Sequence, residues 1–274
     1  MRYERTTSFA SPLAPWQTAA GSLDAAILGM TGLLGGWDYD PSRVTAGTDM
    51  QFANRVSGGR ASYEVTGAMS SLVLSTAGLP PGGQMRQCGV YDGTTVVRMG
   101  GTFPSASNSV WTKVVCYKAN AAEYRSGAQM RIWQGRNSSN TDNHYLSVFG
   151  GLLYHDVGTV GTEVQIHTGQ HAIGAWNYAI ASYDNGGSTA ASKLQVNGGT
   201  ILTANRTTQQ ALQSESYFGG SQLVANYKGR IGPAWLFGGT TVATGSLFDA
   251  SRAADLAIVQ AWCQAVIGRL NLVV

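Results

Sequence analysis

The sequence predicts an all-β fold, a β-sandwich followed by a C-terminal helix. Short apolar runs recur along the 274 residues, and clusters of Gly, Asn, Asp, Ser and Pro separate them as turns separate strands. Within many of these runs apolar and polar side chains alternate, which is the period of a half-buried strand. Short strands at regular spacing favour a sandwich over alternating strand and helix units.

Residues 1–48 are predicted to form an N-terminal arm or subdomain that can anchor the chain. Residues 1–17 contain Pro12 and Pro15 and lack periodic apolar residues, which indicates an extended arm. Trp16 favours docking of this arm on a neighbouring subunit over a frayed terminus. The run AAGSLDAAILGMTGLL, residues 19–34, fits a short helix or a buried strand, and both interpretations stay open.

Residues 49–248 are predicted to form the sandwich. Its first strands are separated by SGG, LPPGG and DGT, which are turn sequences. In VWTKVVCYKA, the side chains of Trp111, Lys113, Val115 and Tyr117 alternate with those of the opposite face. The strands expected up to residue 169 lie at 50–56, 61–66, 71–75, 85–91, 94–99, 110–119, 129–135, 144–151, 152–158 and 162–169.

The last third of the chain contains the clearest strand and turn patterns. In WNYAIASYDNGG, Tyr178 and Ile180 share one face and Ala179 and Ala181 share the other. In KLQVNGG, Asn197-Gly198 supplies the positive-φ turn of a hairpin. These stretches span 176–187 and 193–199, and SYFGG and YKGRIGPAWLFGG follow at 216–220 and 227–239. In the last stretch, Ile231, Trp235 and Phe237 are expected on one buried face.

Residues 249–274 are predicted to end the chain as an amphipathic helix, capped by Asp249 or Ser251. We expect its apolar stripe to pack on the sandwich or on the N-terminal run. An oligomer contact is the alternative, because Trp262 falls off the stripe and would then be exposed. The stripe consists of Leu256, Val259, Cys263, Val266, Ile267 and Leu270.

The order of these stretches resembles the concanavalin A-like lectin/glucanase family, in its laminin-G-like jelly-roll form. The resemblance covers mainly residues 102–248, and it is stronger in the order of strands, long polar loop and tight turns than in residue identity. It implies a jelly-roll β-sandwich and a glycan-binding function. The glucanases of this family carry Glu-x-Asp-x-Glu on one strand, and this sequence has no such triplet. We therefore expect no catalytic residues and no enzymatic activity.

The composition limits the classes of partner. The formal net charge is +3 without a Lys/Arg run, so we expect no nucleic-acid binding, and no apolar stretch is long enough for membrane insertion. Three cysteines, Cys88, Cys116 and Cys263, lie in separated apolar settings, which favours free buried thiols over disulfides. No signal peptide is evident in the N-terminal residues.

Lectin-like domains usually work outside cells, whereas these features favour folding in a reducing compartment. A bacteriophage virion protein that folds in the host cytoplasm reconciles the two. We therefore expect a capsid decoration or tail-associated adhesin that binds other virion proteins, forms a homo-oligomer (a trimer) and contacts surface polysaccharide. The alternatives are a polysaccharide depolymerase of a phage tail and a purely architectural capsid cement protein.

The candidate glycan site combines aromatic residues, which cover sugar C–H faces, with polar groups that bind hydroxyls. Its residues are Trp133, Arg136, Asn137, Asp142, Asn143, His144, Tyr145, Tyr154, His155 and Asp156. Polar loops that simply face water, and aromatic residues that fill the core, would give the same pattern.

Two weaker sites are also indicated. The aromatic and acidic segment Trp37-Asp38-Tyr39-Asp40 is a second glycan candidate. Asp142 and Asp184 supply loop oxygen atoms for calcium, although ordinary turn residues look the same. No other cofactor is expected.

Overall fold

Two antiparallel sheets and a pair of helices make up the part of the chain that the computed structural model describes. That part consists of residues 15–38, 44–45, 51–52, 54–56, 62–66, 73–74, 88–99, 110–124, 128–136, 142–159, 164–184, 190–206, 215–221, 224–225 and 227–271. Among these residues, no helix is long and apolar enough to cross a bilayer.

Most elements are strands. Their bounds are β1 (Leu33–Trp37), β2 (Val44–Thr45), β3 (Gln51–Phe52), β4 (Ser62–Thr66), β5 (Val73–Leu74), β6 (Gly89–Asp92), β7 (Val96–Arg98), β8 (Val110–Ala119), β9 (Met130–Arg136), β10 (Asp142–Phe149), β11 (Leu152–Thr159), β12 (Val164–Thr168), β13 (Asn177–Asp184), β14 (Ala190–Val196), β15 (Leu202–Arg206), β16 (Glu215–Phe218), β17 (Gly220–Ser221), β18 (Val224–Ala225) and β19 (Lys228–Gly239). The helices are α1 (Pro15–Leu28), α2 (Ala121–Tyr124), α3 (Val242–Gly245) and α4 (Ala253–Asn271), with a 3-10 turn at Ala250–Arg252 before the last.

The strands form two large sheets and one short ribbon. Sheet A has the order β15-β14-β13-β8-β19-β6-β5, and β1 also pairs with β19. Sheet B has the order β12-β11-β10-β9-β16-β7-β4-β3-β2, and β17 and β18 pair with each other. All of the strand pairs in the described part of the chain are antiparallel, and Asn177 of β13 lies opposite Tyr117 of β8 at one end of their pairing. The predicted β-sandwich is therefore confirmed.

The core lies between the two sheets. Val115 and Tyr117 of sheet A pack in one cluster with Ile132, Leu146 and Leu153 of sheet B, all at most 1% exposed. Because successive side chains of a strand point to opposite faces, these buried residues fix which side chains face away from the core. Residues 145, 147, 149, 152 and 154 therefore belong to the outward-facing side of sheet B.

A second apolar cluster lies on the other face of sheet A, under the helix pair. Val259, Cys263 and Val266 of α4 pack against Val114 and Cys116 of β8. The C-terminal helix packs on the sandwich as expected, and α1 adds Ile27 to the same cluster. The open choice for residues 19–34 resolves into a helix that ends at Leu28, then a turn and β1. That helix begins at Pro15, within the segment that the sequence indicates as an arm.

Two expectations about facing were wrong. Trp262 is fully buried, because its indole packs on Trp235 and its Nε1 donates to Asp24 of α1, a helix that the stripe of α4 alone does not reveal. Ile231 lies between the sheets, whereas Trp235 and Phe237 lie under the helices. A register shift in β19 between Ile231 and Ala234 reverses the alternation there.

Candidate functional site

The candidate site lies on the solvent side of β10, β11 and β12. The register places Ser147 of β10, Tyr154 of β11 and His167 of β12 side by side. Two residues away on each of these strands, it likewise places Tyr145, Asp156 and Gln165 side by side. We call this surface the outer face; its members are Gln129, Arg131, Tyr145, Ser147, Phe149, Tyr154, Asp156, Gln165 and His167.

A cavity of about 310 Å³ opens on the outer face, and we call it the groove. Its volume is at the lower end of the range of small-ligand sites. The groove lies across three strands and is therefore built on sheet backbone. Its lining residues are Gln129, Phe149, Tyr154, Asp156 and Gln165.

Aromatic rings run along one side of the groove. The rings of Phe149 and Tyr154 meet edge to face with centroids 6.1 Å apart. The Tyr154 ring then faces the imidazole of His167 at 5.4 Å, with the two planes tilted by 35°. Phe149 is 41% exposed, which is unusual for a large apolar side chain in this protein. The strip therefore offers an accessible apolar surface beside polar groups.

Polar side chains line the rest of the groove. Asp156 contributes a carboxyl group and is 0% exposed. Gln129 is partly buried, and its Nε2 donates to Ser147 Oγ at 3.1 Å. Gln165 lies opposite Asp156 and is exposed. The groove thus combines one acidic group with two carboxamides, each of which can donate and accept hydrogen bonds.

Arg131 lies on the same face but holds contacts outside the lining. Its guanidinium stands over the Tyr145 ring, with Cζ 5.2 Å from the centroid. Its Nη1 donates to Gln134 Oε1 at 3.0 Å. These contacts place the guanidinium beside Tyr145 and Gln134, next to the groove.

The structure divides the predicted site residues between two environments. Tyr145, Tyr154 and Asp156 lie on the outer face, where the two tyrosines are partly exposed and Asp156 is buried. Trp133, His144 and His155 point into the core and are at most 3% exposed. Arg136 pairs with Asn143 through the backbone, and Asp142 begins β10, but the side chains of these residues lie outside the described part, as does the whole of Asn137.

The inward-facing residues belong to a buried polar cluster around Lys113 of β8. The Lys113 amine is hydrogen-bonded to His144 Nδ1, and it lies 5.2 Å from the Trp111 ring and 5.0 Å from the Trp133 ring. Burial holds the pKa of Lys113 well below its usual range and lowers the pKa of His144 in the same way. Burial also lowers the pKa of His155 to about 3. All three are therefore core groups that disfavour charge.

Trp133 itself is part of the aromatic core. Its Nε1 donates to Ser216 Oγ at 2.6 Å, and its ring packs on Phe218 with centroids 5.0 Å apart. Trp37 meets the same ring edge to face at 6.1 Å, so this residue of the second candidate segment is also buried. Asp38 is 3% exposed and pairs with Arg55. Tyr39 and Asp40 lie outside the described residues.

The calcium candidates lie in separate sheets, with Asp142 in sheet B and Asp184 in sheet A. Asp184 Oδ2 is 3.5 Å from Lys193 Nζ. Burial raises the pKa of Asp184 while Lys193 opposes that shift. Within the described ranges there is no group of three or more His, Cys, Asp or Glu placed to hold a metal ion.

Sequence reasoning missed Gln129, Phe149, Gln165 and His167. The outward position of Phe149 was predictable from the alternation of HYLSVFGG. If Leu146 and Val148 face the core, Phe149 must face solvent together with Ser147. The contribution of Gln129 depends on pairing between strands, which alternation within one strand does not give.

Comparison with known proteins supports the fold. No protein-family model and no curated protein matches the sequence. The structure of Domain 4 of AbnA, a GH43 extracellular arabinanase from Geobacillus stearothermophilus solved with arabinotriose, matches 83% of this chain and 99% of that domain, with 15% identity and a TM-score of 0.56.

Toxin binding domains are similar over a shorter share of their length. The botulinum neurotoxin serotype D binding domain matches 78% of this chain and 49% of its own, with 12% identity and a TM-score of 0.53. The binding domain of Paraclostridial Mosquitocidal Protein 1 matches 77% of this chain and 49% of its own, with 11% identity and a TM-score of 0.51. This chain thus spans about half of each toxin domain. At these identities the likeness establishes the β-sandwich fold.

Proposed function

We propose that this protein is a non-enzymatic carbohydrate-binding β-sandwich that holds a glycan in the groove. The observation that carries the proposal is the aromatic strip of Phe149, Tyr154 and His167 beside the accessible carboxamides of Gln129 and Gln165. A sugar ring has an apolar C–H face and an edge of hydroxyl groups. Aromatic rings cover the first, and carboxamide groups bind the second.

The position of the groove supports this function. It lies on three paired strands, so the lining side chains start from a rigid backbone and lose little freedom when a ligand binds. The arabinanase domain with a similar fold was solved with arabinotriose, which is a property of that protein and supports testing oligosaccharides on this one.

The test is incubation of the purified protein with a panel of bacterial surface polysaccharides and plant oligosaccharides. Retention of the protein and release of reducing ends are scored in the same wells. The proposal expects retention without new reducing ends. Release of reducing ends would favour the depolymerase, and absence of retention on every surface would contradict glycan binding.

The absence of catalysis is part of the proposal. Glycoside hydrolysis uses two carboxyl groups flanking the scissile bond. Among the described residues that line the groove, Asp156 is the one carboxyl group. A single carboxyl group cannot act as both proton donor and base across a sugar ring.

We further propose that the protein is a bacteriophage virion component, either a capsid decoration or a tail-associated adhesin. Cys88, Cys116 and Cys263 are all buried as thiols, which suits a protein that folds in a reducing cytoplasm. Mass spectrometry of purified particles tests this assignment, because the protein must be found in them. Light scattering of the purified protein tests the proposed trimer.

A further inference from the structure

We infer that the groove and the aromatic strip beside it bind three consecutive units of a single linear glycan chain, which lies obliquely across β10, β11 and β12. This inference rests on the proposed function, since it defines the length and shape of the glycan that the same site takes. Its basis is the placement, exposure, spacing and tilt of the three rings of the strip.

Each of three neighbouring strands supplies one ring. Phe149 belongs to β10, Tyr154 to β11 and His167 to β12. His167 lies opposite Tyr154 in the register, whereas Phe149 lies two residues beyond Ser147, the partner of Tyr154 on β10. Neighbouring strands are about 4.8 Å apart, so the rings form a row that crosses the sheet obliquely. A ligand that contacts all three must therefore be elongated.

The rings and the nearby carboxamides are accessible to such a ligand. Phe149 is 41% exposed, His167 is exposed and Tyr154 is partly exposed. Gln165 is exposed two residues before His167 on the same face of β12, and Gln129 lines the groove with it. Hydroxyl groups along the chain can therefore exchange hydrogen bonds with carboxamides while C–H faces lie on the rings.

The spacing of the rings matches a chain of linked sugars. The centroids of Phe149 and Tyr154 are 6.1 Å apart, and those of Tyr154 and His167 are 5.4 Å apart. Both steps are similar to the repeat of a linear glycan, so successive units can each contact one ring. Because linked units lose their overall freedom only once, every added contact strengthens binding until the row ends.

The tilt of the rings defines the shape of the chain. The planes of Phe149 and Tyr154 differ by 64°, and those of Tyr154 and His167 differ by 35°. A flat ribbon on a crystalline surface would require nearly coplanar rings. The rotated rings beside a concave groove instead fit one separate chain whose units rotate relative to each other. We therefore expect soluble single chains to bind and crystalline cellulose to be rejected.

The experiment measures Kd against chain length. The probes are α-1,5-arabino-, β-1,4-xylo- and β-1,4-manno-oligosaccharides of one to six units. In a series that binds, we expect at least about three-fold tighter binding for each added unit up to three, and less than about two-fold change from four to six. Equal Kd values for one and three units, or equal gains continuing to six, would overturn the inference and leave glycan binding intact. If no series binds at any length, the proposed function fails as well.

Cosedimentation with crystalline cellulose tests the shape of the chain. We expect the protein to stay in the supernatant. Cosedimentation that Tyr154→Ala abolishes would show that the strip accepts a flat surface, and the inference would be wrong.

Two variants of the exposed His167 connect chain length with the strip. His167→Ala removes an end ring, so the gain in affinity between two and three units should disappear. His167→Phe is the matched variant, because it keeps a ring at this position and should retain the gain. Circular dichroism confirms that each variant is folded. If folded His167→Ala retains the full gain, the strip does not set the chain length and the inference is wrong.

Discussion

Tyr154 is the residue on which the proposed glycan contact depends most. It lines the groove, and its ring lies between Phe149 and His167. Its position follows from two local facts, the alternation of β11 and the burial of Leu153 and His155 on the other face. The sequence could therefore predict that Tyr154 faces away from the core.

Replacing Tyr154 by alanine is expected to weaken binding of a retained oligosaccharide at least about ten-fold, or roughly 1.4 kcal/mol. The reason is the loss of a ring that covers the sugar C–H face. Isothermal titration measures the change, and Thr203→Ala, an exposed substitution on β15 of sheet A, is the matched control. An unchanged Kd for Tyr154→Ala with a folded protein would place the binding site elsewhere.

Lys113 is a buried amine that contacts His144, Trp111 and Trp133, and its burial was not predictable from the alternation of β8 alone. We expect Lys113→Met to raise the free energy of unfolding at pH 7 by about 1 to 3 kcal/mol, because an apolar side chain of similar length avoids desolvation of an amine. Urea denaturation measures the change. A clear loss of stability would show that the hydrogen bond to His144 outweighs desolvation.

The buried histidines give stability a defined pH dependence. The pKa of His155 is lowered by burial to about 3 in the folded protein, against 6.5 when exposed. The unfolded chain therefore binds the proton first, so stability is complete above pH 6.5 and falls as the pH drops toward 3. Each such group contributes a slope of up to about 1.4 kcal/mol per pH unit.

The variant His155→Gln isolates this contribution. Glutamine keeps a donor for the Ser182 carbonyl oxygen, which lies 3.2 Å from His155 Nε2, but it does not titrate. We expect a shallower decrease of melting temperature between pH 6 and 4 than in the unsubstituted protein. If melting temperature decreases equally with pH in the two proteins, His155 does not control the loss of stability in acid.

At the scale of elements, the hairpins were the most predictable features. Asn197 and Gly198 adopt φ angles of 51° and 73°, as the Asn-Gly pair predicts, directly after Val196 ends β14. Asn197 Oδ1 also accepts from the Tyr178 backbone at 2.9 Å, a longer-range contact that the pair does not reveal. Local turn chemistry located the end of β14, whereas contacts between distant elements were not predictable from it.

The helix pair illustrates what local patterns leave out. The stripe of α4 was visible, but Trp262 appeared exposed because its partners, Asp24 and Trp235, come from α1 and β19. The ion pair between Asp24 and Arg55, at 3.3 Å, connects this helix contact with the segment after β3. Alternation likewise could not locate the register shift in β19.

Removing the Trp262 side chain should destabilise the folded protein. We expect Trp262→Ala to lower the free energy of unfolding by about 3 to 5 kcal/mol, because it removes a fully buried indole and the hydrogen bond from Trp262 Nε1 to Asp24. Chemical denaturation measures the loss. Ala257→Gln, at an exposed position of the same helix, is the control and should change stability little. A small effect of Trp262→Ala would mean that α1 and α4 contribute little to stability.

At the scale of the whole molecule, the sequence predicted a β-sandwich and most of its strands, because strand period and turn residues are local signals. It did not predict which ends of the strands meet, so Phe149 of β10, Gln129 before β9 and Gln165 of β12 were not recognised as one site. The groove exists only after sheet B has assembled. Of the candidate residues of β11, Tyr154 and Asp156 lie on the outward-facing side of sheet B, whereas His155 faces the core, and the cavity itself was not predicted.

The most direct measurement is amide chemical-shift mapping of the labelled protein during titration with an oligosaccharide that it retains. If the groove binds glycan, the largest shifts will fall on residues 147–156 and 164–168, and Tyr154→Ala will suppress them. Shifts confined to sheet A or to the helix pair, with the signals of β10, β11 and β12 unchanged, would contradict the account.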